Sequence, residues 1–438
     1  MDGGLATRPE DTPVVRENGD PQPAGLTAAR VASGPVQGAR PAGLATYPRV
    51  CIYQRYLPPD ASGAGKQAVT VAQALQRTGF AVTLLGDRSE DQQRPAELGG
   101  VPVEWVSVRK PGYPGLVLYW LRLAQRLFSM RRNFDVLHIH SAALDQSGAV
   151  MIARLLGKRA IIRSSISGEF AGLARSRSGR VQRQILRFCD RFILLSQRLA
   201  DEYMASGLPP DRFRLIGNGV DEAVYHPVSR DAKHRLRSEL GLPLNARIVV
   251  FHGVFMERKG LHWVVETLAG LMEKFDILLL FVGRPARDEE QTGYERRLRK
   301  VIESSPARAR VMLREAVPDV HRYLQASDFY ILASSAEGMP NALLEAMAVG
   351  LVPIVSRTSG TEDLVEDGVN GCLFELGDAA SLEAAVERCC GDEASFEQRS
   401  AAANARIRED FGIDAIGRRL GELYCSVYES RRGRGQAQ

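Results

Sequence analysis

Two strand–loop–helix units follow one another in the second half of this 438-residue chain, and few folds accept them. The apolar run Phe329-Tyr330-Ile331-Leu332-Ala333 reads as a buried strand. A loop carrying Glu337 follows. Pro340 then suits the first position of a helix that Asn341 to Ala348 continue and Gly350 ends. The second unit has the strand Val352-Pro353-Ile354-Val355, a loop from Ser356 to Gly360, and a helix start near Thr361 with Glu362 in its first turn. Seven residues separate Glu337 from Glu345. Eight steps of about 100° leave them roughly 80° apart on a helix, so they do not project in parallel. Glu337 therefore belongs to the loop, facing the helix mouth, with Glu345 two turns along. The free N–H groups near Asn341 and Ala342 favour an anion there. Side by side, two such units make a phosphate-binding cleft of an α/β fold.

The rest of the chain repeats this alternation. Residues 1–46 are rich in Gly, Pro and Ala without an apolar period, and composition predicts a disordered segment. A strand at Arg49 to Tyr53, a loop at 57–65, a helix to about Thr78 and a strand at Ala81 to Leu85 open a doubly wound domain. Gly63-x-Gly65-Lys66 is not a P-loop: Asp60 stands where its first Gly should be, and Gln67 where Ser or Thr must hold magnesium. A helix over 115–131 and strands at 136–139, 160–163 and 192–195 follow. The alternation restarts with strands at 247–252 and 277–282, and an amphipathic helix near 412–429 closes the chain. The spacing predicts a first domain over 47–217, a second domain over 218–411, a helix over 412–430 and a basic tail over 431–438.

Composition narrows the classes. No run approaches the ~18 apolar residues of a membrane span, and Asp2, Arg8, Glu10 and Asp11 interrupt any signal-peptide core. Six cysteines without CxxC or metal-ligand spacing read as free thiols in a reducing compartment, hence a cytoplasmic protein. Residues 1–217 carry 29 Lys+Arg against 18 Asp+Glu, and residues 218–438 carry 28 against 34. The basic surplus lies in the first half, with five arginines and no acid from Arg175 to Arg187. Such a bias suits an acidic partner; nucleic acid is excluded because the arginines lack interleaved aromatics.

The run Glu337-Gly338-x-Pro340-Asn341-x-Leu343-Leu344-Glu345-Ala346-Met347-Ala348-x-Gly350, with Gly360, Glu362 and Asp367-Gly368-x-Asn370-Gly371, resembles the donor-site signature of family-four retaining glycosyltransferases. Leu215 to Asp221 resembles the family's crossing between domains. The resemblance covers roughly residues 47–430. It implies the GT-B fold, two Rossmann-like doubly wound domains facing each other across a cleft, and retaining transfer from a nucleotide sugar, a UDP-sugar by default. Lys259 matches the family's phosphate-binding lysine, but Val254 stands where its partner arginine should be, leaving Arg258 or Arg284 as substitutes. Gly63 matches the glycine facing the donor phosphates. Glu345 is expected on the ribose hydroxyls, because a carboxylate accepts two bonds from a diol. Glu337 is expected by the donor sugar, with Gly338, Met339, Pro340 and Asn341 beneath it and Ala342 and Leu343 opening the helix.

The family often has a histidine in the loop after its fifth strand; here Ser165, Ser167 or Glu169 takes that place, and His140 is a further candidate. No metal or other cofactor is implied. Lys259, Glu337 and His140 are the expected catalytic groups. The implied acceptor is a sugar, a lipid-linked glycan or a small-molecule hydroxyl, with an anionic membrane surface as a further partner. The runner-up functions are nucleotide-sugar binding without turnover and nucleotide-sugar epimerisation. If the N-terminal reading is right, removing residues 1–44 leaves the melting temperature unchanged; a drop of several degrees would show that the segment packs on a domain.

Overall fold

The computed structural model describes residues 46–59, 63–89, 94–108, 113–164, 177–285, 289–391 and 393–435. The disorder expected for residues 1–46 lies, up to residue 45, outside the described residues, as do Ser165, Ser167 and Glu169. The first sheet contains β1 (Val50–Tyr53), β2 (Val82–Ser89), β3 (Glu97–Leu98), β4 (Val101–Val108), β5 (Val136–Ile139), β6 (Arg159–Ser164), β7 (Arg191–Leu194) and β8 (Phe213–Leu215). Its spatial order is β3-β4-β2-β1-β5-β6-β7-β8, parallel except for the β3–β4 pair. Helices α1 (Gly63–Arg77), α2 (Tyr113–Ser129), α3 (Leu144–Leu155), α4 (Arg177–Leu186) and α5 (Gln197–Ala205) connect these strands. Because both faces are covered, the strands are nearly continuous apolar runs, and β1 and β5 are wholly buried.

The second sheet contains β9 (Arg247–Phe255), β10 (Ile277–Pro285), β11 (Val311–Glu315), β12 (Phe329–Leu332), β13 (Val352–Ser356) and β14 (Cys372–Phe374), in the order β11-β10-β9-β12-β13-β14. With it run α6 (Arg230–Glu239), α7 (Leu261–Lys274), α8 (Glu289–Ser304), α9 (Val320–Gln325), α10 (Asn341–Ala348), α11 (Ser359–Glu362), α12 (Ala379–Cys390) and α13 (Glu393–Asp410). In each sheet the winding reverses at one place, between β1 and β5 and between β9 and β12. Loops at the carboxyl ends of strands flanking such a reversal splay apart and leave a crevice. The loop after β9 carries Lys259 and the loop after β12 carries Glu337.

The chain passes between the sheets twice. After β8 it runs through Gly217-Asn218-Gly219, and it returns through Gly412 into α14 (Ile413–Gly435), which packs on α1. The two passes are bonded to each other: Val220 N–H donates to Phe411 O at 2.9 Å, and Ile413 N–H donates to Val220 O at 2.8 Å. α14 continues past residue 430 into the stretch expected as a tail, since no proline stops it before Gly435. None of the helices among the described residues is long and apolar enough to cross a membrane.

Two details depart from the sequence reading. Pro340 is the N-cap, one position before the helix, with φ −74° and ψ 115°. Cys372 and Cys389 are joined in a disulfide between β14 and α12, while Cys51, Cys189, Cys390 and Cys425 are free and buried. A spacing of 17 residues across a strand–helix unit has no sequence signature, so the expectation of six free thiols is corrected.

α14 is tied to the first sheet by Tyr424, whose hydroxyl lies 2.7 Å from His138 Nδ1 in a fully buried contact. Tyr424→Phe keeps the ring and removes the partner of a buried nitrogen. It is expected to lower stability by about 1–3 kcal/mol, read as a shift of the urea midpoint without a change in slope.

Candidate functional site

The crevice of the second sheet is built by close backbone approach. Ser335 N–H donates to Arg258 O at 2.9 Å, so the loops after β9 and β12 lie against each other. Gly260 ends the turn carrying Lys259 with φ +63°, and a Cβ there would stand 2.6 Å from Ala333 O. Gly360, in α11 after β13, leaves no room for a Cβ either, with Gly338 O at 2.2 Å. The loop after β12 is thus pressed between the loop after β9 and α11.

Glu337 is the centre of this crevice. Its carboxylate accepts from Lys259 Nζ and, at 3.0 Å, from Arg258 Nη1. Arg258 also donates to Ala336 O at 2.9 Å. Burial pushes the Glu337 carboxyl upward, but Lys259 and Arg258 outweigh it and hold it below its ordinary value. Burial lowers the Lys259 ammonium, and Glu337 offsets this only in part. Arg258 is therefore engaged with Glu337. Arg284 stands elsewhere: it is the register partner of Val254 on the adjacent strand. The basic residue absent from β9 has a counterpart one strand away, about 4.8 Å across the sheet.

Glu345 is met from the other domain. It lies on α10 with only 6% of its surface exposed. Lys66 Nζ, from the first turn of α1, donates to its Oε1 at 2.7 Å and to Tyr225 Oη at 2.8 Å. Burial would lower the Lys66 ammonium; Glu345 and Tyr225 more than compensate and hold it above its ordinary range. His252 Nε2 lies 3.2 Å from Glu345 Oε2 without the alignment of a hydrogen bond. Burial keeps that imidazole below its usual range, against the pull of Glu345. Lys66, Tyr225 and His252 were not among the residues singled out from sequence. The signal for Lys66 was its place behind Gly63-x-Gly65, which failed as a P-loop but still starts a helix at the reversal of the first sheet.

The remaining donor-side residues surround these two carboxylates. Asn341 Nδ2 donates to Gly63 O at 2.9 Å, joining the two loops expected to face one ligand. The Asn341 and Ala342 amides open α10 without a hydrogen-bond partner among the described residues, whereas the Leu343 amide is bonded to Pro340 O at 3.1 Å. Leu343 itself is core, so its side chain is not a ligand contact. Met339 is held from the crossing segment: Asn218 Nδ2 donates to Met339 O at 2.9 Å, and Arg163 Nη2 donates to Asn218 Oδ1. His140 is buried next to His138, ring centroids 4.5 Å apart, with Nε2 unpartnered among the described residues. Burial, then His138 and Arg163, drive its pKa far below the ordinary histidine value. The structure thus gives His140, a candidate catalytic group from sequence, a neutral and enclosed place.

A second polar cluster lies at the carboxyl end of the first sheet. Arg55 Nε donates to Asp87 Oδ2 at 3.0 Å, and its guanidinium also pairs with Asp145 on α3. Tyr119 Oη donates to Asp87 at 3.2 Å. Burial pushes the Asp87 carboxyl up to about 7 in spite of Arg55.

Comparisons with known proteins agree with this geometry. A family model described as Glycosyl transferase 4-like domain matches residues 62–219, and one described as Glycosyl transferases group 1 matches residues 246–392. The chain is 25% identical over 315 residues to the N-acetyl-alpha-D-glucosaminyl L-malate synthase of Bacillus anthracis, covering 70% of this chain and 80% of that protein. It is 28% identical over 180 residues to the lipopolysaccharide core biosynthesis glycosyltransferase LpsE of Rhizobium meliloti, covering 41% of this chain and half (50%) of that relative's length. Among solved structures, Anabaena Alr3699/HepE in complex with UDP superposes with a TM-score of 0.73 at 19% identity, over 86% of this chain and 100% of the other.

The buried titratable groups set a pH dependence. His140 stays neutral when folded and takes a proton when unfolded, so it removes stability as pH falls below about 6.5. Asp87 acts in the opposite sense: its folded carboxyl holds a proton the unfolded chain releases, so it removes stability as pH rises from about 4 to 7. His140→Asn should flatten the rise of unfolding free energy between pH 5 and 6.5 by up to one proton, ~1.4 kcal/mol per pH unit. Asp87→Asn should steepen it. Urea titrations at half-unit pH steps test both.

Proposed function

Because the chain belongs to the group 1 glycosyl transferases and carries their GT-B fold, we propose that it moves a sugar from a nucleotide-sugar donor, a UDP-sugar by default, to a hydroxyl acceptor with retention. The observation that carries this reading is the pair of carboxylates at the reversal of the second sheet, half-buried Glu337 and buried Glu345, each facing a cation. Transfer breaks the bond between the anomeric carbon and the diphosphate oxygen, and negative charge grows on the leaving group. Fixed cations and dipoles stabilise that charge without reorganising. Lys259, Arg258 and the open amides of Asn341 and Ala342 supply them, with Arg284 in place of the arginine missing at Val254.

Glu345 takes the ribose diol, and Lys66 must release it or share it when donor binds. Glu337 keeps Lys259 oriented beside the donor sugar. The acceptor hydroxyl then attacks from the side the diphosphate leaves, its oxygen bonding to the anomeric carbon while its proton passes to a phosphate oxygen. No residue need act as nucleophile in this reading, and no metal is required to meet the charge. The missing loop histidine and Val254 favour donor binding without turnover as the second reading. Release of free nucleotide from labelled donor separates the two.

The relatives named above include an enzyme of lipopolysaccharide core biosynthesis. Surface-glycan assembly at an anionic membrane is accordingly the setting proposed for this chain. Its basic first domain suits that surface, although Arg126 is paired with Glu104, and Arg154 and Arg159 with Asp190.

Exchanging each glutamate for glutamine tests the assignment. Glu345→Gln should weaken donor affinity by about 1.5–3 kcal/mol, the worth of a charged hydrogen bond. Glu337→Gln should lower turnover more than affinity, because it touches the cation nearest the breaking bond. Binding calorimetry with UDP and steady-state kinetics read the difference; equal, negligible effects would return both residues to structural ion pairs.

A further inference from the structure

The first sheet reverses its winding as the second does, and a row of enclosed polar side chains lies at that reversal. β1, β5 and β6 are in register at Ile52, His138 and Ile161. Two residues further on, at the carboxyl ends, come Gln54, His140 and Arg163, and the period of two puts them on one face of the sheet. The ladder holds to that point, because His140 N–H donates to Tyr53 O at 2.9 Å. None of the three is more than 5% exposed. Each nonetheless has a buried atom without a hydrogen-bond partner among the described residues: Gln54 Oε1, His140 Nε2 and Arg163 Nη1. Three such atoms in one row call for a ligand, since buried polar groups are almost always paired.

Arg163 is the sharpest case. Burial lowers its guanidinium to about 10, so it stays charged at neutral pH. Its other terminal nitrogen, Nη2, donates to Gly217 O at 3.3 Å and to Asn218 Oδ1. Both acceptors are neutral, and no carboxylate pairs with the guanidinium among the described residues. A buried cation without an anion is destabilising, and a neutral glutamine would brace the crossing segment without that penalty. The charge therefore points to an anion that a ligand brings. Position narrows which one. Asn218, bonded to Arg163, donates to Met339 O at 2.9 Å, so the guanidinium lies one side chain away from the loop after β12. In the transfer reading the donor sugar lies over that loop, and the diphosphate has its own cations, Lys259 and Arg258, in the second domain.

We propose that Gln54, His140 and Arg163 form a subsite for the donor sugar, and that this sugar carries a carboxylate, as a hexuronate does. The inference rests on the transfer reading given above and names the class of its donor. The planar carboxylate accepts from Arg163 Nη1, and the neutral His140 ring donates from Nε2 to its second oxygen. The hydroxyl on the neighbouring ring carbon donates to Gln54 Oε1. A hexose ends in a hydroxymethyl group instead, which leaves the guanidinium enclosed without an anion. The subsite thus selects the acid over the corresponding alcohol.

Calorimetry on the full chain tests this with two pairs of probes, UDP-glucuronate against UDP-glucose and UDP-galacturonate against UDP-galactose. In at least one pair the acid should bind about ten-fold more tightly, the scale of one hydrogen bond to a charged group. No preference in either pair overturns the proposal. Arg163→Gln should abolish the preference while UDP itself binds as it does to the parent protein. Arg163→Lys, which keeps the charge, should retain part of it. A loss that falls equally on UDP and on all the UDP-sugars would make Arg163 a brace of the crossing segment and overturn the subsite. Should Arg163→Gln fail to fold, the preference of the parent protein still decides. Free glucuronate that binds the UDP-loaded protein, with no preference among the UDP-sugars, would put the carboxylate on the acceptor and also overturn the proposal. UDP, ADP and GDP alone keep the two readings apart. A thermal shift from any of them without an acid preference removes the subsite and leaves transfer standing, whereas no shift from any of them removes transfer itself.

Discussion

A carboxylate removed from water is tolerated only where a cation and hydrogen-bond donors face it, and the desolvation of each partner is several kcal/mol. Glu337 and Glu345 both meet that condition, but by different routes. Lys259 and Arg258, the cations bonded to Glu337 among the described residues, come from the same domain as it does. Glu345 draws its cation, Lys66, from the opposite domain. The charge state of the crevice therefore depends on how the two domains meet, and any ligand that takes over Glu345 changes what holds them together.

Much of this arrangement was legible in the residues. The strand at 329–332, the helix over 341–348 and the place of Glu337 in the loop between them follow from apolar runs, a helix stop and simple helix geometry, all local properties. Gly360 ended a loop legible from local turn chemistry, whereas Lys259 stood out only through the resemblance to the family. What escaped the sequence were contacts between distant segments. Lys66 is 279 residues from Glu345, and His138 is 286 residues from Tyr424. His140 looked accessible because it ends a strand; α14, arriving from the far end of the chain, encloses its neighbour His138.

Polar groups enclosed at the carboxyl edge of the first sheet form a continuous physical theme. Arg163 is a buried guanidinium bonded to the Gly217 carbonyl and to Asn218, which reaches Met339 under Glu337. Neutral His138 and His140 beside it are consistent with a site that already holds one buried positive charge. Donor-side and first-domain chemistry are thus linked through backbone and amide contacts at the crossing segment, in a region where a small displacement changes hydrogen bonding rather than packing alone.

The two passes of chain between the sheets have a mechanical consequence. A single strand joining two bodies lets them twist, slide and swing. Here the passes at residues 216–220 and 411–413 are cross-bonded through Val220, so they act as one ribbon. A ribbon of two bonded strands bends easily across its thin direction and resists torsion and shear. Motion of the domains is confined to a swing about that ribbon, like a book opening at its spine, with Lys66 and Glu345 on facing pages.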